Sequence, residues 1–181
     1  MVRKRVAVAR LLTAALLLLA GCSGSGASDS TQSSTSTSVA APKALPRVDL
    51  IKTAVSALET KLGAPQRFFE INATASLVNL IVSLNDDKVA QPWVYLDGTL
   101  SSTDAGDANG FSFASSALTF DPDKVLSKLQ AELPNSSPDL FFIEGGQGGI
   151  VRYSVAITSS QGGQLVVVVG PDGTIQSVDP G

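Results

Sequence analysis

One cysteine, Cys22, and no histidine set the chemistry open to this 181-residue chain. Without an imidazole there is no Ser-His-Asp or Cys-His nucleophile, no HExxH metal site and no imidazole pH switch. With a single thiol there is no internal disulfide, no CxxC redox pair and no thiolate zinc cage. Asp104, Asp107 and Asn109-Gly110 resemble part of a calcium loop, but with Gly110 in sixth place Ala105 and Ser116 occupy the first and twelfth ligand positions. The stretch reads instead as the polar tip of a hairpin before a strand region over residues 111–120. Gly145-Gly146-Gln147-Gly148-Gly149 lacks the Lys-Ser/Thr of a phosphate cradle and opens a strand, not a helix, so it reads as a loop between strands. Asp86-Asp87 reads as a turn and Asp121/Asp123 as a helix start, rather than as an acid/base pair. The expectation is a protein that is not an enzyme and needs no metal and no cofactor.

The first 21 residues read as an address. Residues 1–10 carry Arg3, Lys4, Arg5 and Arg10 and no acid, and Leu11 to Ala20 form an apolar run interrupted only by Thr13. A basic stretch followed by a short apolar one is the signal-peptide pattern. The run has about half of the ~20 apolar residues that a membrane-spanning helix needs. It ends in Leu19-Ala20-Gly21-Cys22, which resembles the lipobox of bacterial lipoproteins. That resemblance implies a diacylglyceryl group on the Cys22 sulfur, cleavage between Gly21 and Cys22, and a lipid anchor on the extracytoplasmic side of the cell membrane. Two acyl chains hold a protein stably at a bilayer, whereas one gives an affinity of only roughly 10⁴ M⁻¹.

Loss of residues 1–21 would remove four basic side chains and no acidic one, leaving nine basic against 16 acidic and a net charge of −7. Such a balance, without a basic stripe, does not suit a nucleic-acid partner. Residues 22–42 continue from Cys22 as an almost unbroken series of Ser, Thr, Gly and Ala, too poor in apolar side chains to build a core. They read as a tether with a typical end-to-end distance of ~25 Å.

Residues 43–181 have the length of one domain. Ile51, Ala54, Val55, Leu58 and Leu62 recur at helical spacing and are followed by Gly63 and Pro65. Asp121 and Pro122 mark the start of a second helix, with Val125, Leu126, Leu129 and Leu133 as its apolar stripe and Pro134 as its stop. Phe68-Phe69 and Phe141-Phe142 follow the two helices at an offset of 73 residues. At the same offset Val78, Leu80, Val82 and Leu84 fall on Val151, Tyr153, Val155 and Ile157, each set alternating as one buried strand face does. Trp93 to Leu96 and Leu165 to Val169 then lead to Asp97-Gly98 and Asp172-Gly173, which favour tight turns. The expected fold is therefore α+β: a tandem helix–three-strand repeat, halves about 48–120 and 121–181, with one antiparallel sheet carrying both helices on one face.

The strand pairs and turns, Tyr153 to Ile157, Gly162 to Val169 and Asp172 to Ile175, resemble those of PepSY-type modules. Their tandem arrangement is similar to that of the beta-lactamase inhibitory proteins, though without their cysteines. The resemblance implies an extracytoplasmic binding or inhibitory module. With Val78, Leu80, Val82 and Leu84 turned to the helices, the opposite face presents Asn79, Ile81, Ser83, Arg152, Ser154, Ala156 and Thr158. That face is the expected contact for an envelope protein. The alternative is a carrier that holds a lipid between sheet and helices.

Overall fold

The computed structural model describes residues 43–180. The expected signal segment, Cys22 and the expected tether lie outside the described residues. Pro46 and Val48 are buried where the chain enters the domain, and a 3₁₀ turn, Val48–Leu50, leads into helix α1, Ile51–Leu62. Gly63, at φ +78°, ends α1 in the left-handed conformation that glycine adopts without a steric penalty. Helix α2, Pro122–Glu132, begins as the sequence indicates: the Asp121 carboxylate accepts the backbone N–H groups of Asp123 and Lys124 at 3.1 and 3.3 Å.

The strands are β1 (Arg67–Ala73), β2 (Val78–Leu84), β3 (Val89–Leu96), β4 (Thr99–Ser102), β5 (Gly106–Asp107), β6 (Phe113–Ala114), β7 (Ser136–Gly145), β8 (Val151–Ser159), β9 (Gln164–Val169) and β10 (Ile175–Pro180). They form one antiparallel sheet in the order β10-β9-β8-β7-β1-β2-β3-β4, with β5 paired to β3 and β6 to β1. The junction between β1 and β7 lies mid-sheet, in the register Ile71 opposite Ile143 and Asn72 opposite Phe142.

Alternate residues of each long strand are buried on the same side. Ile71, Leu80, Val82, Tyr153, Val155, Ile157, Val167 and Val169 share one core with Ile51, Ala54, Val55 and Leu58 of α1 and Val125, Leu126 and Leu129 of α2. Both helices therefore cover one face. Phe120 lies 5.5 Å from Phe141 and 5.8 Å from Tyr153 between ring centres, so aromatic side chains fill the space beneath the helices. Each such side chain contributes about 1.5–3 kcal/mol through its burial.

Two local expectations are corrected. The chain forms a fourth strand after each Asp-Gly turn, β4 and β10, where three per half were expected. The reason is clearest at Asp97-Gly98, whose φ angles of 48° and 80° make a two-residue hairpin loop between the paired Leu96 and Thr99. Such a loop returns the chain alongside the strand it has just left. Residues 111–120 are not a strand region. Only Phe113–Ala114 pairs, and a 3₁₀ turn at Ser115–Ala117 follows; buried Phe113 and Phe120, not a hydrogen-bond ladder, hold this stretch. The glycine-rich segment joins β7 to β8 as a loop, as expected, and holds a short 3₁₀ turn, Gln147–Gly149, with Gly148 and Gly149 at φ +76° and +78°.

Candidate functional site

The face of the sheet away from the helices is built by the residues that alternate with the core. Its central row crosses eight strands: Ser177, Val168, Ser154, Phe142, Asn72, Asn79, Val94 and Ser101 are successive cross-strand neighbours. A second row runs Arg152, Glu144, Glu70, Ile81, Pro92. A third, on the β10 side, runs Asp179, Val166, Ala156, Leu140.

The sequence-predicted residues fall into two groups. Asn79, Ile81, Arg152 and Ser154 stand in the first two rows. The Asn79 amide donates to Asn72 Oδ1 at 2.7 Å, and the Asn72 amide donates to Glu70 Oε1 at 2.6 Å. This chain orders three polar side chains in the middle of the face. Ile81 is half-buried between Glu70 and Pro92. Ser83 and Thr158 are half-buried, and their hydroxyls are hydrogen-bonded within the domain. The Ser83 hydroxyl donates to Asp87 and that of Thr158 to Asp139, each at 2.5 Å, and the two residues stand toward opposite ends of the sheet.

Sequence reading missed half of this face. Phe142, Leu140, Val166, Val168 and Val94 make it more apolar than the predicted set. Glu70 and Asn72 supply its polar centre. The β9 run is apolar on both sides, so no alternation marks Val166 and Val168 as outward. Bulges between Phe68 and Glu70 and between Pro138 and Leu140 break the period in β1 and β7.

A second constellation holds the end of the sheet near the β2–β3 turn. Asn85, Asp86 and Asp87 stand at φ 51°, 55° and 65°, an arrangement uncommon for residues with a β-carbon. Asp87 Oδ1 accepts the hydroxyls of Ser112 and Ser83 at 2.5 Å, and Arg67 donates to the Ser112 hydroxyl and carbonyl oxygens at 2.9 Å. The Ser112 hydrogen bond, then that of Ser83, and the charge of Arg67 hold the Asp87 carboxyl below its ordinary pKa. Ser112 is buried and fully engaged, so the cluster acts as a clasp for the crossing segment, not as a nucleophile. Among the described residues no group of three or more Cys, Asp or Glu side chains is placed to hold a metal ion.

No protein-family model, no curated protein and no solved structure matches the chain.

Proposed function

We propose that the protein is a lipoprotein of the bacterial cell envelope, anchored through Cys22, and that it acts as a non-enzymatic binding module whose helix-distal sheet face meets an envelope protein. The observation that carries this reading is the central row, which runs across eight strands with no helix over it and mixes half-buried Val168, Phe142 and Val94 with the Asn79–Asn72–Glu70 hydrogen-bonded chain. Apolar side chains ringed and interrupted by ordered polar groups suit a protein partner. The opposite side of the sheet is filled by aromatic side chains, which supports the binding module over a lipid carrier.

The same reading takes the domain as two copies of one unit, α1 with β1 to β4 and α2 with β7 to β10. Its support is the shared element order, the antiparallel junction of β1 with β7, and Phe68 and Phe141 as fully buried counterparts.

The test uses the full chain in its native membrane. Mass analysis of the mature protein should find a diacylglyceryl group on Cys22, and Cys22→Ala should release or strand the protein. Ile81→Asp should abolish cross-linking to the partner while the domain stays folded, the like charge of Glu70 across the strands costing about 0.2–1 kcal/mol. Val155→Asp, which places a carboxylate in the core, should unfold the domain. A free Cys22 thiol, or full partner capture by the Ile81→Asp protein, would refute the proposal.

A further inference from the structure

At the end of the sheet where β8 begins and β9 ends, a cleft of about 450 Å³ is lined by Thr119, Ile150, Arg152, Tyr153, Val168 and Gln176, among others. That volume is within the ~300–1,000 Å³ range of ligand pockets. Ile150 is the most exposed large apolar side chain of the described residues, at 61 %. Its β-carbon and Arg152 Nε both lie within 3.6 Å of the position that a β-carbon on Gly146 would take, so the two side chains stand together over this glycine.

Arg152 has no ion pair or side-chain hydrogen bond among the described residues. Of the other two arginines in residues 43–180, Arg47 pairs with Asp49 and Arg67 is held by Ser112, whereas Lys52, Lys61 and Lys88, like Arg152, make no ion pair among the described residues. Glu144 is the cross-strand neighbour of Arg152, yet the two make no ion pair. An unpaired guanidinium is conspicuous in residues 43–181, which carry nine basic and 15 acidic side chains. Tyr153, 4 % exposed, accepts the Thr119 N–H through its phenol oxygen at 3.3 Å, so its own proton is not used in that bond. The ladder of β8 with β7 reaches Val151, whereas its ladder with β9 stops at Tyr153 opposite Val169. Val151 and Arg152 thus have a strand neighbour on one side only.

We infer that this cleft binds a short extended peptide segment bearing a carboxylate, with Arg152 taking the carboxylate and Ile150 and Val168 packing an apolar side chain. One guanidinium balances one carboxylate and meets its planar oxygens as a fork. A dianionic phosphate would bring two charges to a single cation in an acidic domain. The one-sided stretch of β8 favours a peptide, which can supply a neighbouring main chain, over a fatty acid. The inference rests on the binding-module reading and names the part of the partner that this end of the face would take.

The test is calorimetric titration of the full chain with acetyl-Ala-Val-Leu as free acid and as amide, with acetyl-Val-Asp-Val-amide, and with octanoate. The free acid should bind at least tenfold more tightly than its amide, placing the carboxylate at a peptide C-terminus. The same advantage for the aspartate peptide over that amide would place it on a side chain and equally support the inference. Arg152→Gln should erase the advantage, Ile150→Ser should weaken acid and amide alike, and Gly106→Ala, where nothing lies within 4 Å, should leave both unchanged. Acid and amide binding alike with no gain for the aspartate peptide, an advantage that survives Arg152→Gln, or octanoate binding as tightly as the peptides would overturn it. If the peptides fail while Ile81→Asp still abolishes partner capture, this inference falls and the binding-module reading stands.

Discussion

The carbonyl oxygen of Phe111 lies 2.0 Å from the point that a β-carbon on Gly145 would occupy, and the Phe111 carbonyl carbon lies 2.8 Å from it. The crossing segment between β5 and β6 therefore rests directly on the end of β7, and only a residue without a side chain permits the contact. Both neighbours are main chain, so neither can rotate away. Gly145→Ala should cost about 1–3 kcal/mol, the usual scale for forcing extra volume into a packed contact. Gly106→Ala, where nothing lies within 4 Å, should be close to neutral. Urea denaturation of the two variants checks this, and equal midpoints would show that the crossing does not depend on Gly145.

The clasp at Asp87 makes stability depend on pH with a definite sign. Its carboxyl is held below the ordinary value of 3.8, first by the Ser112 and then by the Ser83 hydrogen bond. A carboxyl depressed in the folded state contributes stability above the unfolded value and loses it as pH falls through the folded one. Asp87→Asn should therefore destabilise the protein at pH 7, with the gap from the unsubstituted protein shrinking below about pH 4. Denaturation midpoints at pH 7 and pH 3 test it, and a gap that stays constant would refute the assignment.

Helices and core strands were legible because each has one wet and one dry side, so the periods of Ile51-Ala54-Val55-Leu58 and Tyr153-Val155-Ile157 stand out. Asp121-Pro122 and the Asp-Gly pairs gave boundaries because they satisfy specific backbone demands. The candidate face was only half legible. Asn79, Ile81, Arg152 and Ser154 lie in strands of clean alternation. Phe142 and Glu70 follow bulges that shift the period, and Val166 and Val168 belong to a strand apolar on both sides. The Ser83–Asp87–Ser112–Arg67 clasp joins residues up to 45 positions apart and has no local signature at all.

The cap on α2 offers a quantitative check on the second helix. Asp121 Oδ1 accepts two backbone N–H groups, its other oxygen pairs with Lys124 at 3.0 Å, and its own N–H donates to the Pro171 carbonyl at 2.8 Å. Asp121→Ala removes the side-chain bonds and keeps the main-chain one. The expected loss is about 0.5–2 kcal/mol, most of it recovered in Asp121→Asn, whose amide oxygen can still cap. Thermal unfolding of both variants decides it; an equal loss in both would assign the effect to the Lys124 ion pair instead.

Glu70 and Glu144 stand directly opposite each other where β1 meets β7, on the face without helices. Like charges in that position repel, at a cost of about 0.2–1 kcal/mol. Glu70 Oε1 also accepts the Asn72 amide, a role that glutamine's carbonyl oxygen can keep. Glu70→Gln should thus preserve the polar chain, remove the repulsion and stabilise the domain by a few tenths of a kcal/mol. The gain should be largest at low ionic strength and fade in 1 M salt, where the screening length falls to about 3 Å. On the binding side the same substitution acts differently from Arg152→Gln. It lowers the negative charge in the row that Arg152 shares, so a carboxylate-bearing peptide should bind somewhat more tightly at low salt. A stability gain without salt dependence would mean that the two carboxylates do not meet across the strands, and a loss of stability would mean that the charge of Glu70 is needed to hold Asn72 in place.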